Sequence, residues 1–451
     1  LYFIPGTQFG GISVTGLTGL GTESNTPTLI ALNSLQLTNS LTWSSGRHTV
    51  KSGVSWTRWF NNQNSSFVLG GSFSFTSIGN FVRNVPGTFE GRTPGSTTDR
   101  YWRQNLIGLF IQDDFAWTSR LTVNMGLRYE FFTSPKEKYD RVASFRDLSA
   151  AATTVGYPLF ENPSLKNFAP RIGFAWDVFG DGRTALRGGA GAFYEPILGN
   201  FYRAYGNRTP PFFELANASF PNVLFPNALD NRLQPVQQRL DLLQFQMENP
   251  YRLQYNLSVE REVLPQTVVT FGYIGSRGFH QIRNIEANHA IPTIQPDGRY
   301  FFPTVRVRRN PNFGSIRLRL PDGNSWYNGL IAGVRKRFGA GLQVQASYTW
   351  GKSIDEGSQA IGSGDFDNSF QPRYGYDRSD NRGLSDFDIR HNFVVNYSYD
   401  VPFGRHLRGV AGALASGWQL AGVIAARSGV PFTPVLGFDR ARAFPRSGGA
   451  G

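Results

Sequence analysis

The sequence predicts an all-β fold, an antiparallel transmembrane β-barrel, and three observations carry that expectation. Apolar and polar residues alternate with period two over segments of roughly ten residues, long enough to cross a bilayer when tilted. Turns of a few residues alternate with polar loops of tens of residues. Finally, the 451 residues are 40% hydrophobic and 14% aromatic, with 51 glycines. This mixture suits aromatic girdles, small residues on a packed wall and turns, and it is poorly suited to long helices. No run of 18 or more apolar residues occurs, which excludes helical spans and leaves strands untouched.

The clearest segment is Arg103 to Phe132. Ile107, Leu109 and Ile111 alternate with Gly108, Phe110 and Gln112, and the chain turns after Trp117. It returns through Val123, Met125, Leu127, Tyr129 and Phe131, interleaved with Asn124, Gly126, Arg128 and Glu130. Two such strands around a short turn form a hairpin.

The same pattern recurs along the chain. Leu35, Leu37, Leu41 and Trp43 lead through Ser44–Arg47 into HTVKSGVSWTRWF. RIGFAWDVF turns at Gly180–Arg183 into TALRGGAGAFYE, and YRLQYNLSVE turns at Leu264–Gln266 into TVVTFGYIG. WYNGLIAGVRKRF turns at Gly339–Gly341 into LQVQASYTW, and IRHNFVVNYSYDV passes through PFGRHLRG to GWQLAGVIAARSG.

Six hairpins result, with one further strand expected near Gly10–Gly19. The loops are placed at about 61–100, 133–169, 195–250, 276–325 and 351–387. SFSF, Ser72–Phe75, alternates within the first of these, QQRLDLLQFQ reads as a short helix, and PDG at 296–298 and 321–323 reads as turns.

Segregation of connection length is a membrane-barrel property, with short periplasmic turns and long extracellular loops. A soluble sandwich has no physical reason for it, and loops this long are uncommon in soluble domains. Aromatic residues next to the short turns (Trp117, Phe179, Phe338, Phe403) fall where an interfacial belt is expected.

Cysteine is absent, so neither disulfides nor thiolate chemistry enter. The formal net charge of +13 raises the prior for anionic partners. Arginines such as Arg128, Arg187, Arg252 and Arg335 nevertheless sit singly on polar strand positions, as for a wet wall and charged rims rather than a nucleic-acid groove. No nucleic-acid partner is expected. VRVRR at 305–309 is the one local patch, and Arg306, Arg308 and Arg309 on an outward loop suit lipopolysaccharide phosphates or an anionic solute.

Several strings together resemble one family. FIQDDFAWTSRLTVNMGLRYE, FAPRIGFAWDVFGDGRTALRGGAGAFYE, NPYRLQYNLSVEREVLPQTVVTFGYIGSRG, GLQVQASYTWGKSID, LSDFDIRHNFVVNYSYDVPFG and GWQLAGVIAARSGVPFT resemble the barrel of Oar-type TonB-dependent receptors, abundant in acidobacteria. The resemblance covers nearly the whole chain. It implies a barrel of about 22 strands, of which about 12–14 are present in residues 1–451. A signal peptide, a carboxypeptidase-regulatory-like domain, a plug and the final strands would then lie outside this partial barrel. The expected partners are outer-membrane lipid, lipopolysaccharide, a scarce small ligand, and a TonB-type energy-coupling protein acting through the plug.

No catalytic set is visible: HExxH, GxSxG and phosphate-loop patterns are missing, and the five histidines have no ligand spacing. Neither enzyme activity nor a cofactor is expected. Asp365 and Asp367, with Asp377 and Asp380, are weak candidates for calcium, whose chemistry favours oxygen ligands. Their spacing is not that of a calcium loop, and solvated loop carboxylates are the plainer reading. Asp386, Asp388, Arg390 and His391 are expected to fix a loop against a strand. Asp113 and Asp114 are expected as a lumenal or rim pair that could contact a ligand, or more plainly as a polar strand end pairing with arginines across the wall.

Three classes of function follow: an uptake receptor, a structural or adhesive outer-membrane barrel, and a secreted β-rich carbohydrate-binding protein. The last predicts apolar faces packed inward between sheets, and a barrel predicts them outward.

Overall fold

A computed structural model describes residues 2–23, 26–162, 164–197, 199–221, 223–227, 239–303, 307–337, 341–358, 375–403 and 409–432. Twelve long strands, each paired antiparallel to its sequence neighbour, form one continuous sheet. They are β1 (Thr28–Ser45), β2 (His48–Ser65), β3 (Arg100–Ala116), β4 (Leu121–Phe132), β5 (Phe168–Asp177) and β6 (Thr184–Tyr194). They continue as β7 (Tyr251–Leu264), β8 (Thr267–Glu286), β9 (Ile316–Arg337), β10 (Leu342–Asp355), β11 (His391–Asp400) and β12 (Gln419–Arg427). The six expected hairpins are all present. Among the described residues, β1 and β12 each pair on one side only.

Register converts the sequence alternation into two chemically opposite faces. Leu41, Ser52, Ile111, Leu127 and Pro170 lie side by side across five strands. Phe174, Gly188, Leu257, Tyr273, Leu330 and Trp350 continue the same face across six. One residue along, Thr49, Asp114, Asn124, Gly173, Gly189 and Asn256 make a polar row on the opposite face.

The apolar face is bare: Leu41 is 68% exposed, Ile172 58%, Ile111 53% and Leu257 50%. So extended an apolar surface is untenable in water, and its natural solvent is lipid. Glycine keeps that face filled where aromatics lie flat. A Cβ on Gly188 would fall 2.6 Å from the Phe174 ring.

The two ends of the sheet differ. At one end Gly46 and Arg47 join β1 to β2, and Gly46 takes a φ of +57° that suits glycine. Between β5 and β6, the Asp177 carboxylate accepts hydrogen bonds from the Gly180 and Gly182 amides, both 3.0 Å. The sixth connection breaks the rule of short turns. It carries a helix, Gly409–Ala415, between β11 and β12.

At the opposite end the loops are themselves folded. A small sheet joins Gly11–Val14, Leu20–Gly21, Ser72–Phe75, Thr88–Arg92 and Leu215–Ser219. Its core is Phe3, Ile4, Ile12, Val14, Phe73, Phe75 and Phe89. The strand expected near Gly10–Gly19 therefore belongs to this loop sheet and not to the barrel wall. Its four residues are too few to cross a bilayer, and they pair parallel to Ser72–Phe75.

Two other expectations are corrected. The loop expected at 276–325 is shorter at both ends and spans 287–315, because β8 and β9 stay paired out to Glu286–Arg317. The PDG at 321–323 lies within β9, where Pro321 faces Ile282 and Gly323 faces Gln281 across irregular register. Proline and glycine there mark a bulge rather than a turn. The other PDG does turn, between Thr293–Ile294 and Tyr300–Phe301, with Gly298 at φ +81°.

QQRLDLLQFQ is not helical over its described residues. Leu240–Leu243 is a strand parallel to β9, and all four residues are buried. Burial on both faces explains an apolar run without alternation.

The apolar face generates one prediction. Leu127→Arg should destabilise the folded barrel in lipid by about 2–4 kcal/mol, whereas Asn256→Arg on the polar face should cost little. Denaturant titration in bilayers, read by heat-modifiable migration, measures both. Equal costs would contradict the assignment of faces.

Candidate functional site

The polar face runs upward into a vault roofed by the loops. Helix α1 (Gly199–Tyr205) packs there against Trp102, Val142, Leu159, Leu243, Met247 and Ile282. Around it, buried polar side chains hydrogen-bond one another, although Arg100 Nε is buried without a hydrogen-bond partner. Trp102 Nε1 donates to Asn207 Oδ1 at 3.0 Å, and Asn207 Nδ2 donates to Gln63 Oε1 at 3.1 Å. Tyr202 OH donates to Gln104 Oε1 at 3.0 Å, and Arg100 Nη2 donates to the Asn207 carbonyl at 3.2 Å. Burial pushes the Tyr202 phenol upward.

Beside this network lies a cluster of guanidinium groups. The Asp241 carboxylate is 3.5 Å from Arg239 Nη2 and 3.7 Å from Arg317 Nε, and Arg239 Nη1 is 3.7 Å from Glu90 Oε1. Arg208 lies 3.6 Å from the centre of the Phe67 ring, and Arg319 lies 3.7 Å from that of Tyr205. Burial opposes ionisation of Asp241, yet Arg239, Arg317 and Arg208 outweigh it and hold the carboxyl below its ordinary value. Asp241 is buried at 4% exposure, so the cluster works at low dielectric, where charge pairing is strong.

Sequence reasoning missed this cluster. Its signals were Asp241, the lone acid among leucines, and the alternation of Arg317 and Arg319 with Ile316, Leu318 and Leu320.

The residues singled out from sequence are scattered. Asp113 and Asp114 do not form a pair, because adjacent strand residues face opposite ways. Asp113 Oδ2 meets His48 Nδ1 at 2.7 Å on the apolar face, where His48 also stacks on Phe115. Asp114 accepts from Asn124 Nδ2 at 2.6 Å on the polar face. Neither partner is an arginine.

The VRVRR patch is not a single surface over its described residues. Arg308 Nη1 donates to the Asn288 carbonyl at 3.1 Å, and the Arg309 guanidinium lies 4.3 Å from the centre of the Tyr376 ring. Arg306 lies outside the described residues, as do Asp365 and Asp367. Asp377 accepts from Tyr300 OH at 2.7 Å. Among the described residues no group of three or more metal-ligating side chains converges.

Asp386 and Asp388 are buried beside the end of β10. Asp388 Oδ1 accepts from the Ser353 amide at 2.6 Å, the Asp386 amide donates to Ser358 Oγ at 2.9 Å, and His391 Nδ1 lies 2.7 Å from Tyr348 OH. The first contact joins loop to strand, the second joins loop to loop, and the third joins β10 to β11.

A bare apolar belt on one face, a polar face behind it, tight turns below and folded loops above define a membrane-spanning β-barrel protein. Residues 3–448 match the outer membrane beta barrel domain family, and the chain belongs to that family. Its place is the outer membrane, and its family is one of membrane barrels rather than of enzymes. The secreted carbohydrate-binding alternative is therefore set aside: the apolar faces point outward.

Among solved structures, the chain is similar to the outer membrane transporter YddB from Escherichia coli, at 9% identity. That match covers 82% of this chain and 40% of the other, with a TM-score of 0.47. For the siderophore receptor PirA from Acinetobacter baumannii, the identity is 8%, the coverage 88% and 48%, and the TM-score 0.44. For the alcaligin outer membrane receptor FauA from Bordetella pertussis, they are 10%, 89% and 47%, and 0.39. The chain spans less than half the length of each of these three. No curated protein matches.

Two predictions follow from the vault. Because the folded-state Asp241 carboxyl ionises below its ordinary value, its stabilisation is complete above the ordinary carboxylate range. It is lost as pH falls through the lowered value. Asp241→Asn should weaken the roof by about 3–5 kcal/mol at neutral pH by stranding buried guanidiniums. Protease nicking of the 195–250 loop, followed against pH, reads both effects.

Asp388→Ala removes the acceptor of a buried amide and should cost about 1–3 kcal/mol. Amide exchange at Ser353 would report it. Unchanged protection there would contradict the role given to Asp388.

Proposed function

We propose that this chain is the wall and loop roof of a TonB-dependent outer-membrane receptor of the Oar type, which takes up a scarce ligand. The observation that carries the reading is the vault itself: a polar barrel face leading into folded loops that gather guanidinium and amide groups. A purely structural or adhesive barrel has no need of such a buried polar array, which is costly unless fully satisfied. The resemblance of six strings in matching order supports the same class. An oligosaccharide, a peptide or a metal chelate is the class of ligand. Energy coupling would pass through a TonB-type partner and a plug.

The experiment compares depletion of solutes from the growth medium by cells with and without the full-length gene. A solute removed only by cells that carry the gene, and no longer removed once a protonophore collapses the proton gradient, is the expected result. Removal that survives the protonophore would replace the energised receptor with a passive barrel.

A further inference from the structure

The geometry points to a phosphate-binding pocket on the lipid-facing side of the barrel, at the level of the outer leaflet, that takes the headgroup of a phosphorylated glycolipid. The pocket has a volume of about 550 Å³ and is lined by Arg58, Arg103, Asn105, Lys136, Lys138 and Tyr157, together with the Thr133 and Ser134 hydroxyls. It contains four cationic side chains and no carboxylate. Among the described residues, none of the four cations stands within ion-pair distance of an acid.

Strand register places the pocket. Trp56 pairs with Ile107 on the apolar face, and two residues further Arg58 pairs with Asn105 on that same face. From His48, beside the short turn, to Arg58 the strand advances about 33 Å at ~3.3 Å per residue. A tilt of about 40° converts this into about 25 Å of height, the thickness of the apolar band of such barrels. Arg58 and Arg103 therefore emerge where hydrocarbon gives way to headgroups, on the loop side.

Phe60 lies between them, with its ring centre 5.5 Å from the Arg58 guanidinium and 5.1 Å from that of Arg103. The ring braces both cations at the boundary, as interfacial aromatics do.

Two features make this more than a basic rim. Lys136 stands directly across the strand pair from Arg103, a like-charge opposition that is destabilising without an anion between the two. Glu137, the acid between Lys136 and Lys138 in sequence, is turned away: it is 1% exposed and accepts from the amides of Tyr101, Tyr139 and Arg141. In addition, Arg58 Nε is buried without a hydrogen-bond partner. A phosphate oxygen would satisfy it and relieve the opposition, because guanidinium groups match phosphate geometry. The surrounding apolar belt would hold the acyl chains.

The test uses the folded chain in detergent micelles, with bis-phosphorylated lipid A as probe. Dephosphorylated lipid A and inorganic phosphate serve as comparators, and native mass spectrometry and micelle titration give the readout. Lys136→Gln with Lys138→Gln changes only exposed side chains and should weaken lipid A binding about tenfold. Arg103→Gln should do the same, with heat-modifiable migration reporting that each variant still folds. Equal binding of the dephosphorylated lipid, or unchanged binding by both variants, would overturn the proposal. Displacement by inorganic phosphate at comparable concentration would overturn the lipid assignment and make the pocket a solute site. These outcomes do not depend on uptake, so the receptor reading stands or falls separately.

Discussion

Everything in this structure depends on one constraint: a backbone that crosses hydrocarbon must satisfy its own amides and carbonyls. Antiparallel pairing of each long strand with its sequence neighbour meets that constraint through the interior of the sheet. Once strands are paired in register, alternation becomes obligatory, because every second side chain faces lipid. Leu41, Ile111 and Leu127 share one row for that reason, and Asp114, Asn124 and Asn256 share another on the far side. The vault and the rim pocket are consequences of this division. Polar groups collect behind the wall, and cations collect where the apolar band ends.

The wall was legible in the sequence because its signal is local. Strands of the type Val123–Met125–Leu127 and turns such as Gly46–Arg47 are read within a few residues. The loop architecture was not legible, because its strands are short and their partners are remote. Gly11–Val14 pairs with Ser72–Phe75, and Leu240–Leu243 pairs in parallel with the outer end of β9. A run such as LDLL, buried on both faces, carries no period at all. Pro321 and Gly323 misled for a related reason: the residues that break a turn-sized segment also accommodate a bulge, and only the pairing partner decides.

The candidate site shows the same limit in its charges. Asp113 and Asp114 are neighbours in sequence but are separated by the wall, so one belongs with His48 at the lipid boundary and the other with Asn124 inside. Conversely, Glu90, the Arg239–Asp241 segment and Arg317 are far apart in sequence and converge in space. A single sequence gives side-chain chemistry and local face. It gives convergence only when the elements that converge are consecutive.

The surplus of positive charge, +13 for the chain, has a physical place in this arrangement. A cation inside the apolar band would be expensive, so arginine is tolerated behind the wall, in the roof, or at the boundary where a headgroup can meet it. Each of these places solves the cost differently. Arg317 and Arg239 share Asp241 in the roof, Arg128 Nε donates to Glu130 Oε1 at 2.8 Å on the polar face, and Arg58 and Arg103 flank Phe60 at the outer rim. The first two settle their charge within the protein. The third meets only neutral acceptors, Asn62 Oδ1 at 3.0 Å and the Trp102 carbonyl at 2.8 Å from Arg103 Nη1, and it leaves its charge for an outer-leaflet headgroup to pair.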